Sequence, residues 1–181
     1  MLLAFGLGSA AIPARAGGIE TVRAEIASGE EQLLLAAEFR IDLGPRLEEA
    51  VTRGVPLYFT LEYELTRPRW YWTPEQLAAG TLAWRLSYSA LTRQYRVSVG
   101  TLHRGFATLA EALQVIARVG ALPIADRAAF KPGEQYAAAV RLTLDRSQLP
   151  KPFQLDALAN RDWQAESKVH RWQFALPEGR S

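Results

Sequence analysis

The feature that most constrains the fold of this chain is a strict alternation of apolar and polar residues in several of its segments. From Leu35 to Leu43 every second residue is apolar, while Glu38, Arg40 and Asp42 occupy positions between them. Successive side chains of a β-strand point to opposite faces of a sheet, so a period of two predicts a strand with one buried and one hydrated face. The chain is therefore expected to fold mainly into β-structure.

Seven strands are predicted from this period and from the turn residues that separate the alternating segments. Two of them form a hairpin within residues 19–43, with a turn at Ser28-Gly29-Glu30. Two others are joined at Thr92-Arg93, and strands joined by so short a link must be antiparallel neighbours. The predicted strands outside the first hairpin are residues 55–65, 82–91, 94–99, 136–145 and 168–176.

Two helices are predicted between the strands. The first opens at Gly44-Pro45, because proline is favoured in the first helical turn, and it ends at Gly54. The second opens with Thr108 and Glu111, which form the capping-box pattern, and Gly120 is expected to end it. The apolar stripe that should pack this helix on the sheet consists of Leu109, Leu113, Ile116 and Val119.

The length and the order of these elements predict the fold class. A chain of 181 residues has the size of one domain with a single core. Strands with antiparallel links and few helices favour an antiparallel sheet or a β-sandwich of about seven strands, decorated by two helices. We expect residues 17–181 to form this single domain.

The first residues have the pattern of a cleaved export signal. An apolar run from Leu2 to Ile12 is followed by Pro13 and by the small-residue triplet Ala14-Arg15-Ala16. The run is too short to span a bilayer, which takes about 20 residues. We therefore predict a signal peptide over residues 1–16 and a periplasmic location for the domain that follows.

Composition excludes several kinds of chemistry. Cysteine is absent, which excludes disulfides, thiol nucleophiles and cysteine-ligated metals. His103 and His170 are the only histidines, and no motif of a zinc protease or a serine hydrolase surrounds them. The formal net charge of +2 is far below that of a nucleic-acid-binding surface. We predict no catalytic residue, no metal site, no cofactor and no nucleic-acid partner.

Glu62 and Glu64 are the one pair of residues that could serve an acid–base reaction. They are two positions apart on a predicted strand, so both carboxylates should lie on one face with their Cα atoms roughly 6.5–7 Å apart. Paired carboxylates at such a separation hydrolyse glycosides. Alternating glutamates are also common on hydrated strand faces, where a cross-strand arginine such as Arg85 would pair with them.

The densest group of recognition residues is the segment RPRWYW. It combines the arginines Arg67 and Arg69 with the aromatic residues Trp70, Tyr71 and Trp72. Arginine and tryptophan dominate binding hot spots, and a guanidinium can stack on an indole ring. These five residues form our candidate interaction surface. The alternative is that the aromatic rings complete the core beneath a loop, since large aromatic side chains also dominate core energetics.

A second unusual segment, SQLPKPF, spans residues 147–153 and places two prolines one residue apart. Proline fixes its own φ and favours extended backbone in the residue before it, which stiffens the segment. Because ordered structure is predicted on both sides, we interpret the segment as a rigid connector rather than a docking peptide or part of an active site.

Several stretches of the chain resemble a bacterial family, the domain of unknown function numbered 4390. They are RWYW, LSYSALTRQYRVSV, FATLAEALQVI and LDRSQLPKPFQLDALANRDW. The last is the most specific of them. The resemblance implies an exported protein whose gene often lies beside that of a nitrogen-regulation-type sensor kinase, and it implies no catalytic residues.

Three functions follow as hypotheses. The first is a periplasmic, non-enzymatic binding or regulatory module that partners the extracytoplasmic part of a sensor kinase or another envelope protein. The second is a cell-envelope hydrolase or lyase that uses Glu62 or Glu64. The third is a purely structural envelope protein, which should show no saturable partner.

Overall fold

The computed structural model describes residues 17–69 and 73–177. Within these residues the chain forms nine β-strands and three α-helices. In chain order they are β1 (Gly18–Ser28), β2 (Gln32–Asp42), α1 (Gly44–Thr52), β3 (Leu57–Arg67), β4 (Glu75–Ser89), β5 (Gln94–Val99), β6 (Leu102–Phe106), α2 (Leu109–Ala117), β7 (Arg118–Asp126), β8 (Gln135–Leu144), α3 (Lys151–Ala159) and β9 (His170–Ala175).

The strands form two antiparallel sheets. The small sheet has the order β1-β2-β7, and the large sheet has the order β6-β5-β4-β3-β8-β9. The sheets approach each other where β1 contacts β8 and β9 and where β4 contacts β7. The mainly β, antiparallel architecture is therefore confirmed, with nine strands in place of about seven and three α-helices in place of two.

One hydrophobic core lies between the inner faces of the sheets. Leu35 of β2, Phe59 and Leu61 of β3 and Leu142 of β8 are all completely buried in it. Complete burial of a side chain of this size stabilises the fold by roughly 1.5–3 kcal/mol. The alternating positions predicted to face inward in β2, β3 and β8 thus form the core.

Two strands that the sequence pattern did not predict, β6 and β7, lie around α2. Helix α2 ends at Ala117, and Arg118 already has the extended backbone angles of β7 (φ −116°, ψ 104°). Gly120 therefore lies inside a strand and does not end the helix. Val119 is buried from β7, opposite Ala37 of β2. Pairing with β2 outweighs the local preference of this segment for helix.

The predicted capping box begins α2. The Thr108 hydroxyl accepts the backbone N–H of Glu111 at 3.2 Å, and the Glu111 carboxylate accepts the N–H of Thr108 at 3.3 Å. Ala112 and Ile116 face the core, while Leu109 and Leu113 are half-buried.

In the described part of the chain, no helix is both long enough and apolar enough to cross a membrane.

The edges of the small sheet depart from regular strands. The register of β1 against β2 shifts between Thr21 and Arg23, so that Val22 forms a bulge and its side chain is exposed rather than directed inward with Ala24 and Ile26. At the other edge, β7 contains Pro123, which has no N–H to offer a further strand. Both devices discourage pairing with another chain.

Candidate functional site

Among the described residues, the structure outlines a large groove between the outer face of the large sheet and α3. Its volume is about 660 Å³, and it is open to solvent. A cavity of this size is within the range of small-molecule and peptide sites. We call it the α3 groove, and it is lined by Thr60, Glu62, Arg141, Thr143, Leu144, Asp145, Arg146, Ser147, Gln154, Ala157, Leu158 and Glu166.

The chain between β8 and α3 builds one wall of the groove. The Asp145 carboxylate accepts the backbone N–H of Ser147 at 3.0 Å and its hydroxyl at 2.6 Å. These hydrogen bonds from Ser147 lower the pKa of Asp145 below its ordinary value. Leu149 then enters the core, and its burial fixes the turn.

SQLPKPF connects β8 to α3, but only Leu149 and Pro150 are extended, because Ser147 and Gln148 lie in a 3-10 turn. Pro150 has extended backbone (φ −55°, ψ 142°), whereas Lys151 and Pro152 already form the first turn of α3. Proline is tolerated in a first helical turn because the N–H groups there have no partner within the helix. The second proline therefore helps to start a helix.

Helix α3 is fixed to the domain through Trp163. The Trp163 side chain is only 1% exposed, and its indole N–H donates to Asp156 Oδ2 of α3 at 2.8 Å. Its ring lies 5.5 Å from that of Phe153, centroid to centroid. Asp156 also accepts a hydrogen bond from Arg46 of α1 at 2.6 Å. These contacts tie α3 to α1 and to the segment before β9.

The ion pair of Asp156 makes the attachment of α3 sensitive to acid. The hydrogen bond from Arg46, and next that from Trp163, lower the pKa of Asp156 below its ordinary value. A carboxyl group whose pKa is lower in the folded chain contributes its full stabilisation above the unfolded pKa of about 3.9 and loses it as the pH falls through the folded pKa. We therefore expect D156N to flatten the loss of stability below about pH 4.

Urea unfolding measured across this pH range checks the effect. R46M should flatten the same limb, because it removes the largest cause of the lowered pKa. An acid limb that is as steep in D156N as in the unchanged chain would contradict the role given to this carboxylate.

The outward side of α3 is apolar. Leu155 is 75% exposed and Leu158 is 79% exposed, and a spacing of three residues puts them on one side of the helix. Ala157 is buried. The leucines lie in the segment QLDALAN, and which of them is buried depends on how α3 docks against Trp163. The exposed leucines are the functional candidates that the sequence reasoning missed.

A fixed ion pair lies on the floor of the α3 groove. Arg141 of β8 donates to Glu166 Oε2 at 2.7 Å. Glu166 is positioned by its neighbour Ser167, whose hydroxyl accepts the N–H of Leu142 at 3.0 Å while its own N–H donates to the Leu142 carbonyl at 2.8 Å. Glu62 is directly opposite Arg141 in the strand register. The groove therefore combines charged groups in defined positions with apolar side chains of α3.

Glu62 and Glu64 both lie exposed on the outer face of β3, as the alternation predicts. Only Glu62 lines the α3 groove, while Glu64 lies beside a shallower depression with Arg171. Their expected partner Arg85 is not opposite either of them. It is opposite Tyr58, with its guanidinium carbon 6.0 Å from the ring centroid.

The arginines of the candidate interaction surface are engaged within the chain. Arg67 donates to Glu75 at 3.3 Å, lies 3.3 Å from a Glu134 oxygen, and has its guanidinium 5.7 Å from the Tyr136 ring centroid. Hydrogen bonding to Tyr136 raises the pKa of Arg67. Arg69 donates to the same Glu75 at 2.5 Å and lowers the pKa of that carboxyl.

The three aromatic members, Trp70, Tyr71 and Trp72, lie outside the described residues. The surface that they were predicted to form with the two arginines therefore stays a prediction.

The two histidines are on opposite edges of the large sheet. His103 is exposed on β6, and His170 begins β9 with its ring centroid 5.4 Å from that of Trp172. Among the described residues, no three histidine, aspartate or glutamate side chains are grouped so as to hold a metal ion.

Comparison with known proteins yields one match. A family model described as Domain of unknown function (DUF4390) matches residues 16–173. No curated protein and no solved structure matches the chain. The family match includes the small sheet, the large sheet as far as residue 173 of β9, and all residues that line the α3 groove.

Proposed function

The chain belongs to the family of the domain of unknown function DUF4390, and since that description names no reaction, we propose from the chain's own surface that it is an exported, non-enzymatic module that binds a protein partner in the α3 groove. The membership confirms the family predicted from the motifs.

The observation that carries the proposal is the exposure of Leu155 and Leu158 beside the α3 groove. Exposed apolar residues that are grouped rather than scattered are typical of interaction sites. Burying one leucine side chain against a partner would contribute about 1.5–3 kcal/mol before the costs of association.

The charged groups of the groove suit the rim of a protein interface. Arg141, Glu166 and Glu62 surround the apolar part, and interfaces commonly place polar groups around an apolar centre. Arg141 and Glu166 already pair with each other, so a partner need not neutralise either charge. Such a rim contributes selectivity and orientation more than affinity.

The partner to test first is the extracytoplasmic part of a membrane sensor kinase. The leader pattern of residues 1–16 supports export to the periplasm. The resemblance described above places the genes of such proteins beside a sensor kinase gene. The hairpin residues Arg67, Arg69 and Trp70–Trp72 offer a second contact surface for the same partner.

Site-specific crosslinking tests the proposal. A photoreactive amino acid at position 158 is expected to yield a covalent product with the sensor kinase in intact cells. The same amino acid in place of Val22, which is exposed on the bulge of β1, should give none. A crosslinked product that contains no kinase, or equal yields from positions 158 and 22, would count against the α3 groove.

The double variant L155D/L158D should abolish co-purification of the kinase while leaving the free energy of unfolding within about 1 kcal/mol of that of the unchanged chain, because both side chains are at the surface. V22D is the matched control and should retain binding. W70A/W72A tests the hairpin separately. Retained capture by L155D/L158D, with loss in W70A/W72A, would transfer the site to the hairpin.

One observation favours the hydrolase alternative: Glu62 lines the groove together with Glu166. Purified protein that released soluble fragments from cell-wall polymer, and lost this activity in E62Q, would overturn the non-enzymatic proposal. A purely structural protein would show no saturable binding to any envelope partner.

A further inference from the structure

A long interval of the chain contains no acidic residue. No aspartate or glutamate occurs between Glu75 and Glu111, and this interval carries Arg85, Arg93, Arg96, His103 and Arg104. It forms β4, β5 and β6, which are one half of the large sheet. Among the residues that the structure describes, none of these four arginines takes part in an ion pair.

Three of the basic side chains are close together on the outer face. Arg85 and His103 are both opposite Ser98 of β5, on either side of it, and Arg96 is two positions from Ser98 on the same face. Directly opposite side chains in antiparallel strands are about 5 Å apart, and diagonal ones about 7–8 Å. Arg85 and Arg96 are such a diagonal pair, and their guanidinium charges repel, so an anionic group placed between them would be favoured.

Strand β6 is the edge of this basic half. It pairs with β5 on one side, and no strand of residues 17–69 or 73–177 pairs with its other side. Its register is regular from Leu102 to Phe106, with neither the bulge of β1 nor the proline of β7. Gly105 is opposite Arg96, so no β6 side chain separates the Arg96 position from the edge.

A groove runs beside β6 toward α2. It has a volume of about 640 Å³ and is lined by Arg104, Gly105 and Phe106 of β6 and by Gln114 and Val115 of α2. Arg118 and Glu111 also line it, but Arg118 lies 3.4 Å from Glu38, and Glu111 is held in the capping box by Thr108. Among the described residues, Arg104, whose guanidinium carbon lies 5.3 Å from the Phe106 ring centroid, is the basic residue of this groove that takes part in no ion pair, while Glu111 keeps its negative charge.

From these observations we propose that β6 binds an extended, acidic segment of a partner protein, which adds an antiparallel or parallel strand to the free edge and lies between β6 and α2. Main-chain hydrogen bonds to β6 give the affinity of such strand addition, and alternate side chains give the selectivity. On the added strand, one face meets Arg104 and the opposite face meets His103 and Arg96.

This site is separate from the α3 groove, which lies at β3 and β8 on the other half of the large sheet. The inference rests on the proposed function only in taking the partner to be a protein. Failure of crosslinking at Leu158 would leave the β6 site untouched, and failure at β6 would leave the α3 groove untouched.

A synthetic peptide of alternating glutamate and valine is the probe. With the full chain, we expect saturable binding that weakens as salt is added, together with slower hydrogen exchange at the amides of β6. The peptide with lysine in place of glutamate should not bind. A version with proline at alternate positions should bind far more weakly, because proline removes the N–H groups that pair with the edge.

Charge reversal locates the site. R96E/R104E should weaken binding of the acidic peptide by about tenfold or more. R171E is the matched control, since Arg171 is exposed on β9 at the opposite edge of the same sheet, and it should leave the affinity unchanged. Far-ultraviolet circular dichroism confirms that each variant is folded.

Three outcomes would overturn the inference: no binding of the acidic peptide, equal binding of the lysine peptide, or binding without protection of β6. Vesicles containing phosphatidylglycerol distinguish a lipid surface. If the vesicles bind the unchanged chain but not R96E/R104E, and if the peptide does not bind, then the basic half of the sheet binds a membrane surface and not an added strand.

Discussion

Replacing Trp163 by alanine is expected to lower the free energy of unfolding by about 3–5 kcal/mol, the range for removal of a large aromatic side chain from a core. The indole is almost completely buried, contacts Phe153 and has Arg46 stacked 5.7 Å from its ring centroid. Its loss also leaves Asp156 without one hydrogen-bond donor. Urea unfolding of the purified domain measures the effect.

The destabilisation caused by W163A should be strongest in α3. Amides of α3 should exchange faster in W163A than those of β3, since α3 loses its main anchor while the sheet keeps its core. L155A, on the outward side of the same helix, is the control and should change stability by no more than about 0.5 kcal/mol. A uniform loss of protection, or a W163A effect no larger than that of L155A, would show that Trp163 is not the anchor.

The second large effect is expected at Tyr136, in the aromatic cluster beneath the β3–β4 hairpin. Tyr136 is completely buried and packs 4.9 Å from Phe130 and 5.6 Å from Phe174, between ring centroids. Its hydroxyl accepts the N–H of Lys131 at 2.7 Å and lies 3.0 Å from a Glu134 oxygen. Y136A should cost about 3–5 kcal/mol, as for other large aromatic residues.

Y136F separates packing from hydrogen bonding. It keeps the ring and removes the hydroxyl, so it should cost about 1–3 kcal/mol, because the hydroxyl accepts one hydrogen bond from Lys131 and donates another to Glu134. Y58A is a matched control, because Tyr58 lies on the hydrated face of β3 and should contribute little. Equal losses in Y136F and Y136A would mean that the polar contacts, and not the ring, stabilise this end of the sheet.

The strands of the core were predictable because a period of two has one physical cause. In β8, for example, Tyr136, Ala138, Val140, Leu142 and Leu144 alternate without exception and are all buried. A register shift of one residue would turn this apolar set to the other face of the sheet. Local pattern and tertiary burial therefore agree in this strand.

The strands β6 and β7 were not predictable on the same grounds. β6 is an edge strand with little burial, so its sequence LHRGF lacks the alternation that a core face imposes. β7 follows α2 without a loop, and the apolar residue Val119 fits the helical stripe as well as it fits a strand. Only pairing with β2, which is distant in the chain, decides between the two.

Little of the candidate site was predictable. Glu62 was noted only as one of a carboxylate pair, and SQLPKPF was interpreted as a connector rather than as part of a site, yet both line or border the α3 groove. The groove itself depends on where α3 docks, which is set by Trp163 and by the Arg46–Asp156 pair across the fold. The sequence did contain one further signal, the absence of acidic residues between Glu75 and Glu111. This absence points to a binding site only once β6 is known to be an edge strand.

The direct passage from α2 into β7 has a mechanical consequence. With no loop between Ala117 and Arg118, the helix cannot tilt without pulling on the first residues of the strand. Those residues are held in register by β2, opposite Ala37 and Glu38. A displacement of α2 is thus transmitted through β7 to β2, the middle strand of the small sheet.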